Sequence, residues 1–534
     1  MIATSIHDIL AELRTQATDE RDKGDRFERL MVAFLTTDPL YAHRYAHVWR
    51  WADWPGRPHG QDAGIDLVAE ERDTNQLCAI QCKFYDPAHE LQKADIDSFF
   101  TASGKAAFSS RMIISTTDRW SKHAEEALEG QQLPVTRLRV QDLDDSAIDW
   151  SEFRLAQPER LGRRKARVLR PHQESALADV TAGFATSDRG KMIMACGTGK
   201  TFTALRIAEQ IAPADGAVLF LAPSISLVSQ SLKEWSREAA EPMRAFAVCS
   251  DVKVGKRTQS EDIGAYDLAY PATTNAVRLH AQVAAGYGTG RTVIFATYQS
   301  LKVIADAQGL GLPEFDLVIC DEAHRTTGVT LADEDESAFV RIHDAGYIRA
   351  VRRLYMTATP RIYDDSSKTT AQEGNAVLCS MDDPLMYGPE FHRLGFGEAV
   401  GKGLLTDYKV LVLAVDEERI SKVFQAQLAD LNNELPLEDR AKIVGCWNAL
   451  AKRGVSGTTL ADDPRPMRRA VAFAKSIAAS RQIEKHFSDV IRQYVLSDTS
   501  GTLLRCNVKH VDGTFNALAR NERLDWLSPN PPMR

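Results

Sequence analysis

Lys191 to Thr201, KMIMACGTGKT, constrains this chain more than any other stretch. Lys191 to Ala195 is a short apolar run suited to a buried strand, and Cys196 to Gly199 is a glycine-broken turn. Lys200-Thr201 then opens an amphipathic run with Phe202, Leu205, Ala208 and Ile211 on one face. Strand, glycine turn and helix together are the context of a phosphate-binding loop. Gly197 and Gly199, with Thr198 between them, let backbone N–H groups close around an anion at the helix N-terminus. Lys200 can reach the β/γ-phosphates, and the Thr201 hydroxyl can ligate Mg²⁺. ATP and Mg²⁺ are the expected cofactors. The competing explanation is a glycine turn with a chance Gly-Lys-Thr, and the rest of the chain decides between them.

Downstream, apolar runs keep returning, each followed by a polar motif. Ala217 to Leu221 precedes Ala222-Pro-Ser-Ile-Ser-Leu-Val-Ser-Gln230, and Thr292 to Ala296 precedes Thr297-Tyr-Gln-Ser300. Asp316 to Cys320 precedes Asp321-Glu-Ala-His324, and Arg353 to Met356 precedes Thr357-Ala-Thr-Pro360. Each motif falls just past the carboxyl end of an expected strand, the edge where ligands bind in an open parallel sheet. Asp321 can hold Mg²⁺, and Glu322 can orient and deprotonate an attacking water. A helix N-terminus also favours acids, but not in company with Lys200.

Met194 stands where the general loop pattern has glycine, and Ala195 to Thr201 reads A-x-G-x-G-K-T instead. That form, with the motifs in this order, resembles the superfamily 2 helicases and translocases. The resemblance implies that Gln173, in Leu169-Arg-Pro-His-Gln173, reads the adenine edge, since its amide both donates and accepts. It further implies that His324 and Thr357 to Thr359 couple the nucleotide site to nucleic acid. Ala222 to Gln230 and Thr297 to Ser300 would contact the phosphate backbone.

Upstream, Asp25 to Leu35 reads as a helix with an apolar stripe of Phe27, Leu30, Met31, Phe34 and Leu35. Residues 65–69 and 77–84 read as two strands joined by the polar turn Glu71 to Gln76. With that turn centred near Asp73, Asp66 falls across from Gln81 and Lys83. A metal held by Asp66 can activate water there, and Lys83 can stabilise a phosphorane-like transition state. Gly64-Ile-Asp66 and Gln81-Cys-Lys83 resemble the Mrr-like branch of the PD-(D/E)xK nucleases, with Gln81 in place of the commoner glutamate. The resemblance covers about residues 20–145 and implies a further glutamate on the preceding helix, here Glu28. Asp25-x-x-Glu28 reads equally well as a capping box. Asp62 is a second ligand or a solvated turn residue, and Trp49, Trp51 and Trp54 are a core cluster rather than a stacking platform.

The chain of 534 residues has room for roughly three domains. No apolar run approaches the ~18 residues of a membrane span, and the N-terminus lacks a signal-peptide pattern, so a cytoplasmic protein is expected. Eight cysteines without a C-x-x-C pair indicate neither zinc nor a disulfide framework. A net charge of −8 requires any DNA contact to come from local basic patches. Arg160, Arg163, Arg164, Lys165, Arg167 and Arg170 form one, either a phosphate contact or a solvated linker face.

Gly395 to Leu413, Leu437 to Arg453, Arg469 to Lys475 and His510-Val-Asp-Gly-Thr514 resemble the start of a second RecA-like domain. With the nuclease motif, the order of blocks is similar to the single-polypeptide Type I-like (Type ISP) restriction–modification enzymes. Those continue into a methyltransferase and a target-recognition domain, expected in a longer chain or a separate polypeptide. The expected architecture is α/β throughout. A nuclease domain spans 1–150, a basic linker 151–168, a RecA-like domain 169–385 and a partial second one 386–534.

The expected function is ATP-dependent translocation on double-stranded DNA with Mg²⁺-dependent cutting of phosphodiesters. The Gly-Val-Asp-type loop and the Q-x-x-G-R-x-x-R motif are not found before the proline-rich tail Ser528 to Arg534. An arginine finger is worth about 10³–10⁵ in rate. One alternative is therefore a truncated remnant that binds ATP and DNA without productive turnover. Another is an RNA helicase with an unrelated N-terminal domain.

Overall fold

The computed structural model describes residues 5–57, 64–104, 107–154, 157, 160–249, 265–331, 339–364, 376–407, 437–452, 465–474, 476–496, 504–511, 523 and 526–527. It divides into two compact units, Met1–Thr406 and Asp407–Arg534.

The first unit opens with α1 (Ile6–Gln16), α2 (Glu20–Thr37) and the short α3 (Pro39–Ala42). Asp19 caps α2, its carboxylate accepting the Asp22 N–H at 2.8 Å, so α2 begins well before the expected Asp25. That removes the capping-box explanation of Asp25 and Glu28. Asp25 lies inside the helix and pairs with Arg29 at 2.9 Å and with Arg50.

A five-stranded sheet follows, built from β1 (Tyr45–Arg50), β2 (Leu67–Glu71), β3 (Leu77–Lys83), β4 (Phe108–Ser115) and β5 (Val135–Leu138), in that spatial order. β1, β2 and β3 are antiparallel neighbours, whereas β3, β4 and β5 run parallel. Alternation sorts the side chains. Leu67, Ala69, Cys78 and Ile80 pack with Phe27, Leu30, Met31 and Phe34 of α2. Val68, Ala79 and Ile113 pack on the other face against Ile96 and Phe99 of α4 (Ala94–Ser103). Trp51 is buried in this second cluster, with Trp49 and Trp54 packed against it, as the core reading expected.

α5 (Lys122–Glu126) and α6 (Val140–Asp144) complete the layer, and β6 (Ile148–Asp149) pairs with β7 (Gly162–Arg163). Three arginines of the basic stretch are engaged on protein. Arg163 Nε donates to the Thr37 carbonyl at 2.8 Å and Arg164 Nε to the Ile148 carbonyl at 3.1 Å. Arg167 pairs with Glu238 at 2.8 Å and Glu234 at 3.2 Å. All three residues remain exposed, so these contacts lie on a solvated face.

The larger sheet is all parallel. Its strands are β8 (Arg189–Met194), β9 (Ala217–Ala222), β10 (Met243–Val248), β11 (Arg291–Thr297), β12 (Leu317–Cys320), β14 (Arg353–Thr357) and β16 (Glu390–Leu394). Their spatial order is β10-β11-β9-β12-β14-β8-β16. β13 (Gly328–Leu331) and β15 (Ala376–Cys379) form a separate antiparallel pair. α7 (Pro171–Gly183), α8 (Lys200–Ile211) and α9 (Ile225–Glu238) cover one face, burying Ala176, Leu205 and Trp235 with Met192, Phe220 and Met356. α10 (Ala276–Ala284) and α11 (Leu301–Gly309) cover the other, burying Leu279 and Ile304 with Leu221, Ile294 and Cys320.

The last strand lies beyond the boundary expected after residue 385. Phe391 of β16 sits against Gly190, where an added Cβ would come within 2.2 Å of its ring. β16 thus closes on β8 through a contact that only glycine permits.

The smaller sheet docks on the larger one within this unit. Arg137 and Asp267, each 4% exposed, pair at 2.8 Å, and Arg137 lies 5.1 Å from the ring centroids of both Trp120 and Tyr266. Lys233 pairs with Asp142 at 2.5 Å, Arg244 pairs with Asp73 at 2.6 Å, and the Tyr270 hydroxyl donates to the Leu40 carbonyl at 2.6 Å.

In the second unit, helices Leu437–Leu450 and Ile477–Leu496 bury Ile443, Val444 and Trp447 against Phe487, Val490 and Ile491. Residues 408–413 of the stretch likened to a second RecA-like domain and the tail 528–534 lie outside the described residues, as does Asp62. No helix among the described residues is long and apolar enough to cross a membrane.

Candidate functional site

The parallel sheet carries its polar motifs past one edge. β8 ends at Met194, and the chain turns through Gly197 (φ +82°) and Gly199 (φ +86°) into α8, whose first residues are Lys200 and Thr201. A side chain at Gly199 would place its Cβ 2.5 Å from Gln173 Nε2, so the turn closes only with glycine there. Thr198 donates from its hydroxyl to the Ala195 carbonyl at 2.7 Å, and His172 Nε2 lies 2.9 Å from the Thr198 carbonyl. Sequence reasoning passed over His172; its place beside Gln173 was the available signal.

Gln173 is buried at the start of α7. Its Oε1 accepts the Arg170 N–H at 3.0 Å and its Nε2 donates to the Gly199 carbonyl at 3.3 Å. Each end of the amide retains one further hydrogen-bonding position.

Lys200 Nζ donates to the Met194 carbonyl at 3.2 Å, and its charge acts on both Asp321 and His324. Asp321 follows β12 and is 6% exposed, and Glu322 after it adopts φ +48°. The Glu322 N–H donates to Asp321 Oδ1 at 3.0 Å. His324 Nδ1 lies 3.1 Å from Thr357 Oγ1 and 3.3 Å from Glu322 Oε2, and burial lowers its pKa. The structure thus gathers Gly197, Thr198, Gly199, Lys200, Thr201, Gln173, Asp321 and Glu322 at one end of the sheet. The cradle, the lysine, buried Asp321 and half-buried Glu322 fit a Mg²⁺–nucleotide.

Asp321 also makes stability depend on pH. Burial, then the Glu322 charge, raise its carboxyl from 3.8 to about 6. The ionised form is therefore disfavoured in the folded chain. The penalty is absent below the unfolded value, grows as pH rises, and is full above about pH 6, at roughly 3 kcal/mol. In chelator, Asp321→Asn should melt above wild type at about pH 8, and the gap should close by about pH 4. A gap independent of pH, measured by thermal denaturation, would contradict this.

The smaller sheet assembles the other predicted group. Leu67 pairs with Ile80, which sets Asp66 opposite Gln81. The Asp66 N–H donates to the Ile80 carbonyl at 3.0 Å, and Asp66 Oδ2 accepts the Cys82 N–H at 2.6 Å. Gln81 is 2% exposed and donates from Nε2 to the Gly64 carbonyl at 3.2 Å, while its Oε1 is buried without a hydrogen-bond partner among the described residues. Lys83 ends β3 one pleat beyond Gln81, on the same face. An orphaned amide oxygen beside a carboxylate is a hard-oxygen donor set that fits Mg²⁺. Burial holds the Cys82 thiol well above its usual range, and the Asp66 and Glu28 carboxylates both push it further. Glu28 therefore lies within electrostatic reach of this group.

Residues 36–160 match the family described as Restriction endonuclease (Mrr_cat_2), and residues 167–362 match that described as Type III restriction enzyme, res subunit (ResIII). Glu28 precedes the first match. Among solved structures, the ATP-dependent Type ISP restriction-modification enzyme LlaBIII bound to DNA is 37% identical with a TM-score of 0.78. That match covers 98% of this chain and 33% of the LlaBIII chain. A nuclease-deletion mutant of the Type ISP enzyme LlaGI, in complex with a DNA substrate mimic, is 34% identical with a TM-score of 0.46. It covers 68% of this chain and 24% of that one. The chain thus spans about a third or less of the length of these relatives. No curated protein sequence matches.

Proposed function

This chain joins a Mrr-like restriction endonuclease domain to a ResIII helicase domain, as in the Type ISP restriction–modification enzymes, and on that premise we propose that it is the nuclease and motor part of an ATP-dependent DNA restriction enzyme. By class it is a hydrolase. The observation that carries the proposal is the presence of both groups in one compact unit. Lys200 and the Asp321–Glu322 pair end one sheet, and Asp66, Gln81 and Lys83 lie on the docked one.

In the motor, Gly197 to Thr201 hold the phosphates of ATP, and Lys200 neutralises charge on the transferred phosphoryl group. Glu322 orients the attacking water and takes its proton. In the nuclease, Lys83 stabilises charge developing on the scissile phosphate. Thr201 and Asp321 would hold Mg²⁺ in one site and Asp66 and Gln81 in the other, where it would supply Lewis-acid charge. A methyltransferase and target-recognition module supplies the recognition site, in a longer chain or a separate polypeptide.

The test is cleavage of linear duplex DNA by the purified chain in Mg²⁺, with and without ATP. Cutting that requires Mg²⁺ supports the proposal. ATPase activity stimulated by RNA alone, with no cutting of DNA, would favour the RNA helicase.

A further inference from the structure

Tyr298 belongs to the motif Thr297–Ser300, which the resemblance implies contacts the nucleic-acid backbone. Its side chain goes inward. The phenol is fully buried and its hydroxyl donates to the Asp321 carbonyl at 2.8 Å. The ring stacks on Phe339 with centroids 5.0 Å apart.

The carbonyl it meets belongs to the peptide between the two acids. The other side of that peptide, the Glu322 N–H, is held by Asp321 Oδ1. Glu322 follows in the left-handed region at φ +48°, a conformation that a non-glycine residue keeps only where its surroundings enforce it. Tyr298 holds the carbonyl of the peptide that leads into Glu322.

At the other end, Thr297 Oγ1 and Ser300 Oγ are 3.0 Å apart across the turn, and Gln299 between them is exposed. Exposed Gln299 and the water-activating acid are therefore linked through the next residue, buried Tyr298, and one hydrogen bond. A phenylalanine would fill the same space without making that bond.

Resting on the motor reading above, we propose that Tyr298 is a positioning residue that ties the DNA-facing turn Thr297–Ser300 to the Asp321–Glu322 pair, so that duplex bound at the turn resets the nucleotide site. The coupling is a linkage between two binding sites and does not require turnover.

The experiment measures affinity for a Mg²⁺-bound non-hydrolysable ATP analogue, with and without duplex DNA, in wild type and Tyr298→Phe. In wild type the duplex should change affinity by about 5–150-fold. In Tyr298→Phe, affinity without DNA should stay within about threefold of wild type while the effect of DNA falls below about twofold. Phe339→Leu loosens the packing of the ring but leaves the hydroxyl, and should keep most of the coupling. Full coupling in Tyr298→Phe overturns the proposal, as does equal loss in both variants, which would assign the effect to packing. Wild type that binds nucleotide without any effect of DNA also overturns it and leaves the phosphate loop intact. Wild type that binds no nucleotide refutes the motor reading and this inference with it.

Discussion

Lys200→Ala should weaken ATP binding by about 10–100-fold, the loss expected for one charge-assisted contact to phosphate. Any turnover should fall further, by about 10²–10³-fold, because the lysine also meets charge that grows in the transition state. The loop itself should survive. Lys200 contributes only its bond to the Met194 carbonyl, while the turn is held by the Thr198 hydroxyl on Ala195 and by Gln173 on Gly199. Titration with a fluorescent ATP analogue checks this, and unchanged affinity would remove the phosphate-loop assignment. The variant should still cut DNA wherever cutting is independent of ATP.

Asp66→Ala should abolish phosphodiester cleavage, by at least about 10³-fold, since losing a metal-bearing carboxylate removes several kcal/mol of charge stabilisation. The carboxylate also accepts the Cys82 N–H at 2.6 Å, so alanine leaves a backbone donor without its acceptor. That costs about 1–3 kcal/mol of stability. Asp66→Asn separates the two effects. It keeps an oxygen for the Cys82 N–H but loses the negative charge, so it should fold as wild type and cut as poorly as alanine. ATP binding should be unchanged in both. Mg²⁺-dependent nicking by either purified variant would exclude Asp66 from the nuclease.

Much of this arrangement was legible because strand ends and turn lengths are local. The turn from Glu71 to Gln76 counts out the register that sets Asp66 across from Gln81. Each polar motif after Met194, Ala222, Thr297 and Cys320 reaches one sheet edge because all of those strands are parallel. What depended on tertiary contact was not legible. α2 extends back to Glu20 through a polar first turn whose cap, Asp19, has no apolar repeat beside it. β16 is an edge strand with mixed exposure, and its pairing with β8 and the contact of Phe391 with Gly190 place it in the motor sheet. The arginines at 163, 164 and 167 read as a basic patch, yet Arg163 and Arg164 bond the Thr37 and Ile148 carbonyls where β7 pairs with β6, and Arg167 reaches Glu238 of α9. Tyr298 read as part of a surface motif because nothing local shows that its hydroxyl crosses to Asp321.

The central claim is that one compact unit couples an ATP-driven motor to a nuclease. Hydrolysis of ATP by the wild-type chain, with and without duplex DNA and with Glu322→Gln as control, tests it most directly. The account predicts turnover that duplex DNA raises and the control loses. Measurable ATP binding without turnover under either condition would contradict it and leave a nucleotide-binding chain whose only chemistry is the nuclease.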